Sequence, residues 1–345
     1  MAPAACSIAL CTYNGAAYLP RQLQSLADQT LRPSELVATD DGSTDATIEL
    51  LECFADRAPF PVRVIRNEQQ LGYRANFMKA AGLAQGGLIF FCDQDDVWRP
   101  NKMERIAARF ERQGTLLVYH NARLVDPEER ELSTLYEGAQ QSAILAEQPI
   151  PPWHFSLGFT QAFRRELLEF QDLWPGSRDH MTGEPMAHDQ WFFMLAACFG
   201  GLEFLDEELV LHRQHGSNTY GVRAASRWRR LASRFSHHAP WDALAAEAAE
   251  FRAEVMGKLG DRRPNFRTRA AELQRAYRST AERHRRRYRA YAEASIASRF
   301  GAFGRALANA DYRGRPWGLE PRALPRDFVL GVLAGTGTRQ VGPGR

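Results

Sequence analysis

What this 345-residue chain lacks narrows its reading first. It has no unbroken apolar run long enough to cross a bilayer, and its N-terminus enters a strand almost at once, without a basic-then-apolar export leader. A cytoplasmic protein is expected. The five cysteines, Cys6, Cys11, Cys53, Cys92 and Cys198, are odd in number and show no paired metal-ligand spacing, so reduced thiols are expected rather than a disulfide framework. Neither GxGxxG nor GxxxxGK(S/T) occurs in the N-terminal segment. That disfavours a dinucleotide oxidoreductase or a P-loop enzyme and leaves phosphate charge to be neutralised by a cation. No internal repeat is evident.

What is present suits an α/β protein. With 44% apolar and 25% charged residues the chain can bury a full core and still carry an additional smaller region. The formal charge of +3 conceals an asymmetry: residues 1–220 hold 18 Lys and Arg against 30 Asp and Glu, a net of −12, whereas residues 221–345 hold 26 against 11, a net of +15. An acidic body therefore carries a basic tail region. Anionic lipid head groups, a lipid-linked pyrophosphate acceptor or the acidic body itself are its candidate partners. Nucleic acid ranks last, because the clusters Arg227-Trp228-Arg229-Arg230 and Arg283 to Arg289 sit in helix-like sequence without a nucleic-acid motif.

Strand and helix signals alternate from the N-terminus. Ser7 to Thr12, Leu36 to Thr39, Val62 to Ile65 and Leu88 to Cys92 read as strands. Between them, Leu19, Leu23 and Leu26, then Leu50, Leu51 and Phe54, and then the stretch from Tyr73 to Ala84 mark helices, the second capped by Ser43 or Thr44. Trp98-Arg99-Pro100-Asn101 opens a further helix through Met103, Ile106, Ala107 and Phe110, Gly158 to Phe163 reads as a strand, and His188-Asp189-Gln190-Trp191 opens an apolar helix. A mainly parallel central sheet with helices on both faces follows, with a basic, mostly helical C-terminal region predicted over Ala243 to Met256 and Ala270 to Phe300. The expected division is a catalytic domain over 1–220, with a nucleotide half to about 122 and an acceptor half beyond it, and a helical region over 221–345.

The chemistry concentrates at strand ends. The first strand ends in Thr12-Tyr13-Asn14-Gly15, the second in Asp40-Asp41, and the fourth in Cys92-Asp93-Gln94-Asp95-Asp96. Ligands of open α/β sheets bind outside the strands' carboxyl ends, and hard oxygen donors suit Mg²⁺ or Mn²⁺, which can bridge two phosphates. A nucleotide can lie across these ends, with Tyr13 stacked on a base, Asp41 accepting a uracil or thymine imide hydrogen, Asp93 on ribose and Asp95 on the metal. The bland counterpart is an acidic turn capping the next helix.

Thr12-Tyr13-Asn14, Asp40-Asp41-Gly42-Ser43-Thr44-Asp45, Asn76 and Asp93-Gln94-Asp95-Asp96-Val97-Trp98, in this order, resemble the family 2 glycosyltransferases with the GT-A fold, and in spelling the bacterial rhamnosyltransferase-type enzymes of surface-polysaccharide synthesis. The resemblance covers roughly residues 5–220. It implies a nucleotide-sugar donor, dTDP-rhamnose favoured over other dTDP- and UDP-sugars, a glycan or lipid-linked acceptor, a divalent metal on Asp93 and Asp95, and inversion at the anomeric carbon. In the resembling enzymes an Asp at the position of Asp189 is the catalytic base, as a weakly nucleophilic sugar hydroxyl requires. They more often carry Glu before it; here His188 stands there, with no proton-transfer role assigned. In Leu211 to Asn218, Arg213 is a candidate diphosphate ligand and His215 a candidate metal ligand; Arg74, Asn76 and Gln94 are further candidate donor contacts. Two rival readings are a sugar-1-phosphate nucleotidyltransferase, whose Gly-rich N-terminal loop with Arg and Lys is missing here, and a silent nucleotide-sugar binding module, against which Asp189 argues.

Beyond residue 221 the motifs end. Trp228, Tyr288, Tyr291, Phe300 and Phe303, interleaved with cations, suit a peripheral membrane contact, and a homodimer surface is an equal rival.

Overall fold

The structure, a computed structural model, describes residues 5–137, 153–216, 238–309, 311–312 and 323–334. The chain divides into two compact units. One gathers 1–148, 155–174 and 186–222, and the other 149–154, 175–185 and 223–345.

The first unit is built on a nine-stranded sheet in the order β3-β2-β1-β4-β8-β6-β9-β5, with β7 paired to β6. Its strands are β1 (Cys6–Thr12), β2 (Glu35–Asp40), β3 (Val62–Arg66), β4 (Leu88–Cys92), β5 (Val97–Trp98), β6 (Leu117–Val125), β7 (Glu131–Thr134), β8 (Gln161–Arg164) and β9 (Leu202–Arg213). The first four are parallel, and β8 then enters antiparallel between β4 and β6. Every residue of β1, β2 and β4 is buried, which explains why these strands read as apolar runs rather than alternations.

Period two sorts the two faces. Ile8, Leu10, Leu36, Ala38, Phe90 and Cys92 join a core with Leu19, Leu23 and Leu26 of α1 (Leu19–Ala27), Leu51 and Phe54 of α2 (Thr47–Ala55), and Met103 and Ile106 of α4 (Lys102–Arg109), α3 lying between α2 and α4 in sequence. On the opposite face Phe91 meets Phe77 of α3 (Tyr73–Leu83) edge-on at 5.5 Å and Phe192 of α5 (His188–Cys198) at 5.7 Å. Helices therefore cover both faces, as the alternating pattern implies.

Local departures have local causes. Ser43 and Thr44 do not cap α2, because Ser43 bonds Asp40 (2.5 Å) and the Thr44 N–H bonds Asn14 (2.8 Å); Asp45 instead accepts from the Thr47 backbone N–H at 3.1 Å. Val97 and Trp98 form β5 against Leu211 and Val210 of β9, so α4 starts only at Lys102. Gly158–Thr160 is a single 3₁₀ turn ahead of β8.

The second unit is helical. α6 (His238–Arg262) and α7 (Arg267–Ala292) double back on each other across the turn Pro264–Phe266, and α8 (Ile296–Ala308) follows. The helix expected from Ala270 to Phe300 is thus broken: Glu293 turns extended, and Ser295 caps α8 by accepting from the Ser298 N–H at 3.0 Å. A helical stretch over 323–334 packs against α8 through Phe328, whose ring lies 5.4 Å from that of Phe303.

Some cations of α7 turn inward, although Arg267, Arg275, Arg278, Arg285 and Arg289 stay exposed. Arg287, fully buried, pairs with Asp242 (3.1 Å) and Asp327 (2.8 Å); Arg286 bonds Asp311 twice at 2.7 Å, and Arg285 pairs with Glu250 at 2.9 Å. Tyr291 and Phe303 are also buried. Of the aromatics expected at a membrane contact, these two are therefore packed within their own unit. Tyr288 is half-buried and Phe300 exposed. Arg227, Trp228, Arg229 and Arg230 lie outside the described residues. Among the described residues no helix is long and apolar enough to cross a membrane.

Candidate active site

Parallel register brings the informative loops together. Thr12 pairs with Asp40 and Leu10 with Cys92, so Tyr13-Asn14, Asp41 and Asp93 to Asp95 emerge at one edge of the sheet. They line a cleft of about 530 Å³, together with Asp189 from the first turn of α5 and His215 beyond β9.

Each acidic cluster divides its labour. Asp40 is fully buried and accepts from Thr12 Oγ1 (2.9 Å), the Ser43 N–H (2.8 Å) and Ser43 Oγ (2.5 Å), which shapes the turn. Asp41 faces the cleft. Its Oδ1 accepts from Asn67 Nδ2 (2.8 Å) and the Leu71 N–H (2.7 Å), whereas Oδ2 accepts from the Gly72 N–H (2.8 Å) and keeps one lone pair. In the second cluster, Asp96 is fully buried and bonds His212 Nδ1 at 2.7 Å. That leaves Asp93 and Asp95 toward the cleft.

The β5–β9 pairing supplies this support. It lays His212 and Arg213 beside the acidic loop, and the ring of His212 stacks on Phe159 at 4.1 Å. Burial pulls the His212 pKa down, but the Asp96 charge and hydrogen bond overcome it and hold it above its ordinary value. Lys102 lies fully buried, 3.7 Å over the Trp98 ring, with Nζ donating to the Phe159 carbonyl (2.7 Å). Burial lowers it to about 7, with Cys92, Asp96 and Asp93 opposing.

Ligand atoms of Asp93, Asp95 and Asp96 lie within 4.8 Å of one another, and His215 Nε2 is 2.8 Å from Asp95 Oδ2. Desolvation in the crowded cleft, then the charges of Asp96, Asp95 and Asp189, push Asp93 well above the usual carboxylate range, with His212 opposing. Such mutual repulsion is what a bound dication relieves. Two carboxylates fit Mn²⁺ or Mg²⁺ chemically and an adjacent imidazole is acceptable to Mn²⁺, with Asp93, Asp95 and His215 as the candidate donor set.

Several candidate contacts do other work. Arg213 is not part of the cleft wall: its Nε donates to the Asp95 carbonyl (3.1 Å), Nη1 to the Pro127 carbonyl (2.6 Å) and Nη2 to Glu129 (3.1 Å). The expected diphosphate ligand therefore braces the Asp95 loop from behind. Asn76 reaches the cleft wall, but its amide is spent on the Thr39 carbonyl (3.0 Å) and Asn67 (2.9 Å), so it positions Asp41 through Asn67. Gln94 straps two loops by accepting from the Tyr13 N–H (2.9 Å) and donating to the Tyr13 carbonyl (3.1 Å). Gly15 permits this, since a Cβ there would stand 2.1 Å from Gln94 Oε1. Thr12 lends its hydroxyl to Asp40, and Asn14, at φ 47°, ties its loop to Thr44. Tyr13 stays 47% exposed, open to a stacking partner. Arg74 lies outside the wall, 4.9 Å over the Tyr73 ring.

Asp189 stands inside the first turn of α5, behind an N-cap at Ala187. His188 stacks on Phe77 at 3.9 Å and meets Phe91 edge-on. Burial and the Arg74 charge lower it to about 3, which leaves a neutral ring. Gly158 makes room for it, because a Cβ there would approach His188 Nε2 to 2.5 Å. Sequence reading missed Lys102 and the bracing role of His212. His212 three residues before His215 is the one available signal, and a lysine just inside α4 gives none.

Residues 7–170 match the family model described as Glycosyl transferase family 2. An uncharacterized glycosyltransferase of Nostoc sp. is 30% identical over 62% of this chain and 66% of its own length, and an uncharacterized protein of Mycobacterium bovis is 27% identical over 61% and 58%. The match thus spans less than two thirds of either relative. A dTDP-rhamnosyl transferase, RfbG, of Shigella flexneri is 23% identical over 62% of this chain and 74% of its own. The crystal structure of S. aureus TarS 1-349 with UDP covers 81% of this chain and 91% of its own, at 19% identity and a TM-score of 0.49. The sheet order and the cleft thus lie in a chain whose residues 7–170 are similar to the glycosyl transferase family 2.

Proposed function

We propose that this chain is an inverting, metal-dependent glycosyltransferase that moves a sugar from a dTDP- or UDP-sugar, with dTDP-rhamnose favoured, to a glycan or lipid-linked acceptor of bacterial surface-polysaccharide synthesis. The observation that carries the proposal is the single cleft shared by Asp41, Asp93, Asp95 and Asp189. The rhamnosyl preference rests on the spelling of the acidic loops and on the Shigella flexneri relative.

Tyr13 stacks on the base, Asp41 Oδ2 accepts its imide hydrogen, and Asp93 bonds ribose. Asp93, Asp95 and His215 hold the cation, which when bound supplies positive charge against the departing diphosphate. Asp189 takes the proton of the acceptor hydroxyl as its oxygen bonds the anomeric carbon and the carbon–phosphate oxygen bond breaks. One displacement inverts the centre. A retaining route needs a second, nucleophilic carboxylate near the sugar, and no residue of the cleft takes that role in this scheme.

The test pairs two variants with a donor panel. Asp189→Asn is expected to bind nucleoside diphosphate sugars as the parent does and to lose transfer by about a thousandfold or more, whereas Asp95→Asn loses Mn²⁺-dependent thermal stabilisation by donor. Unchanged turnover in the Asp189 variant would remove it from the mechanism. Stabilisation by dTDP over UDP would support the favoured donor, and the reverse would exclude it.

A further inference from the structure

Ten large apolar side chains are notably exposed among the described residues, and six of them, Ile296, Phe300, Leu307, Leu324, Val329 and Leu333, lie on α8 and the stretch 323–334. Spacings of four and eleven residues place Ile296, Phe300 and Leu307 within about 40° of one another around α8. Phe300 lies 5.7 Å from Phe328, so the exposed stripe of α8 borders the helical stretch that carries Val329 and Leu333. Scattered exposed apolar residues need no explanation, but a stripe shared by two packed helices does.

Charge separates the possible occupants. α8 contains Arg299 and Arg305 and no acid, and Asp327 is fully buried against Arg287. Residues 221–345 together carry a net +15. A second copy would bring an equal positive charge to the same face. An anionic surface would be attracted, and neither helical stretch is long enough to span a bilayer.

We propose that the exposed face of α8 and 323–334 docks the protein on an anionic lipid bilayer, inserting Ile296, Phe300, Leu307 and Leu333 among the head groups while the basic unit supplies the long-range attraction. This face shares Phe300 with the aromatics singled out by sequence and leaves out the buried Tyr291 and Phe303. It does not depend on which sugar is transferred.

Flotation of the full chain with phosphatidylcholine vesicles containing about a quarter phosphatidylglycerol tests it. The parent is expected to float at least about tenfold better than with pure phosphatidylcholine, and to release as NaCl rises from about 0.1 to about 0.5 M. Ile296→Ser/Leu307→Ser/Leu333→Ser should keep the parent melting temperature and lose about tenfold or more in flotation. Ala308→Trp, at an exposed position beside Leu307, should shift its emission to the blue on anionic vesicles. Equal flotation of the triple variant, absence of parent binding, or an unshifted tryptophan would overturn the proposal. A parent dimer that the triple variant dissociates would assign the face to a second copy instead.

Discussion

Both units of this chain concentrate acids, and they do so to opposite ends. In the helical unit, Asp242 and Asp327 are fully buried and paired with a counter-ion: Arg287 lies between them, His284 Nδ1 stands 2.6 Å from Asp242, and Tyr291 and Tyr312 donate to Asp327 at 2.6 and 3.1 Å. In the sheet unit, Asp93 and Asp95 crowd one another and Asp96 across an open cleft, with His215 beside Asp95. Acids paired within a fold contribute to that fold, whereas like charges left facing a hollow are kept for something that arrives. Charge count along the sequence does not separate the two cases. Pairing does.

The sharpest way to break the comparison is to remove one member of the closed cluster. Burial pulls the Arg287 pKa down, but Asp242 and Asp327 win and hold it above its ordinary value, so its charge is kept in the interior only by those partners. Arg287→Leu leaves two acids buried without their counter-ion and is expected to cost about 3–5 kcal/mol. Urea unfolding should register this as a lower midpoint, and an unchanged midpoint would show that the cluster is not internally balanced.

Glu35 sharpens the comparison because it sits in the sheet unit but has the chemistry of the helical one. It accepts from Ser7 Oγ (2.7 Å) and the Gln85 N–H (2.6 Å), with Arg63 Nη1 at 3.4 Å. Burial works against its charge, but the Gln85 N–H, Ser7 and Arg63 prevail and hold its pKa below the ordinary 4.5. A depressed carboxylate contributes stability above its unfolded pKa and loses it as pH falls through the folded one. Glu35→Gln should therefore cost about 1–2 kcal/mol at pH 7, with the gap to the parent closing below about pH 4. A gap independent of pH would point to packing rather than charge.

Much of the sheet and the acidic loops was legible because the signals are local. Leu88 to Cys92 is a buried run, and the acids follow it directly in sequence. What stayed hidden depends on partners far along the chain. Nothing in Asp40-Asp41 says which acid shapes the turn, since Ser43 claims Asp40 while Asn67 and Gly72 hold Asp41. Arg213 looks like a phosphate ligand until Asp95 and Pro127 accept its donors across 118 and 86 residues. Nothing local in the α7 arginine run shows that Arg286 and Arg287 are paired, because Asp242, Asp311 and Asp327 lie 25 to 45 residues away. The two-residue β5 is too short for any periodicity, although its pairing with β9 sets the bracing of the whole acidic loop.

The smallest expected effect probes the open cluster and has the opposite sign. Desolvation and the neighbouring acids raise the Asp93 pKa, so the folded chain holds a proton that the unfolded chain releases first. Its contribution to stability therefore falls as pH climbs above the unfolded value of 3.8, and removing the charge removes that loss. Asp93→Asn should be as stable as the parent near pH 4 and more stable by roughly 1 kcal/mol at pH 8 without added metal. Mn²⁺ should reverse the order, because the dication stabilises the parent by neutralising the acids that repel one another and has one ligand fewer in the variant. Melting temperatures at two pH values, with and without Mn²⁺, measure all four states. Should Asp93→Asn destabilise the metal-free protein as Arg287→Leu does, the sheet cluster is closed after all and the contrast between the two units disappears.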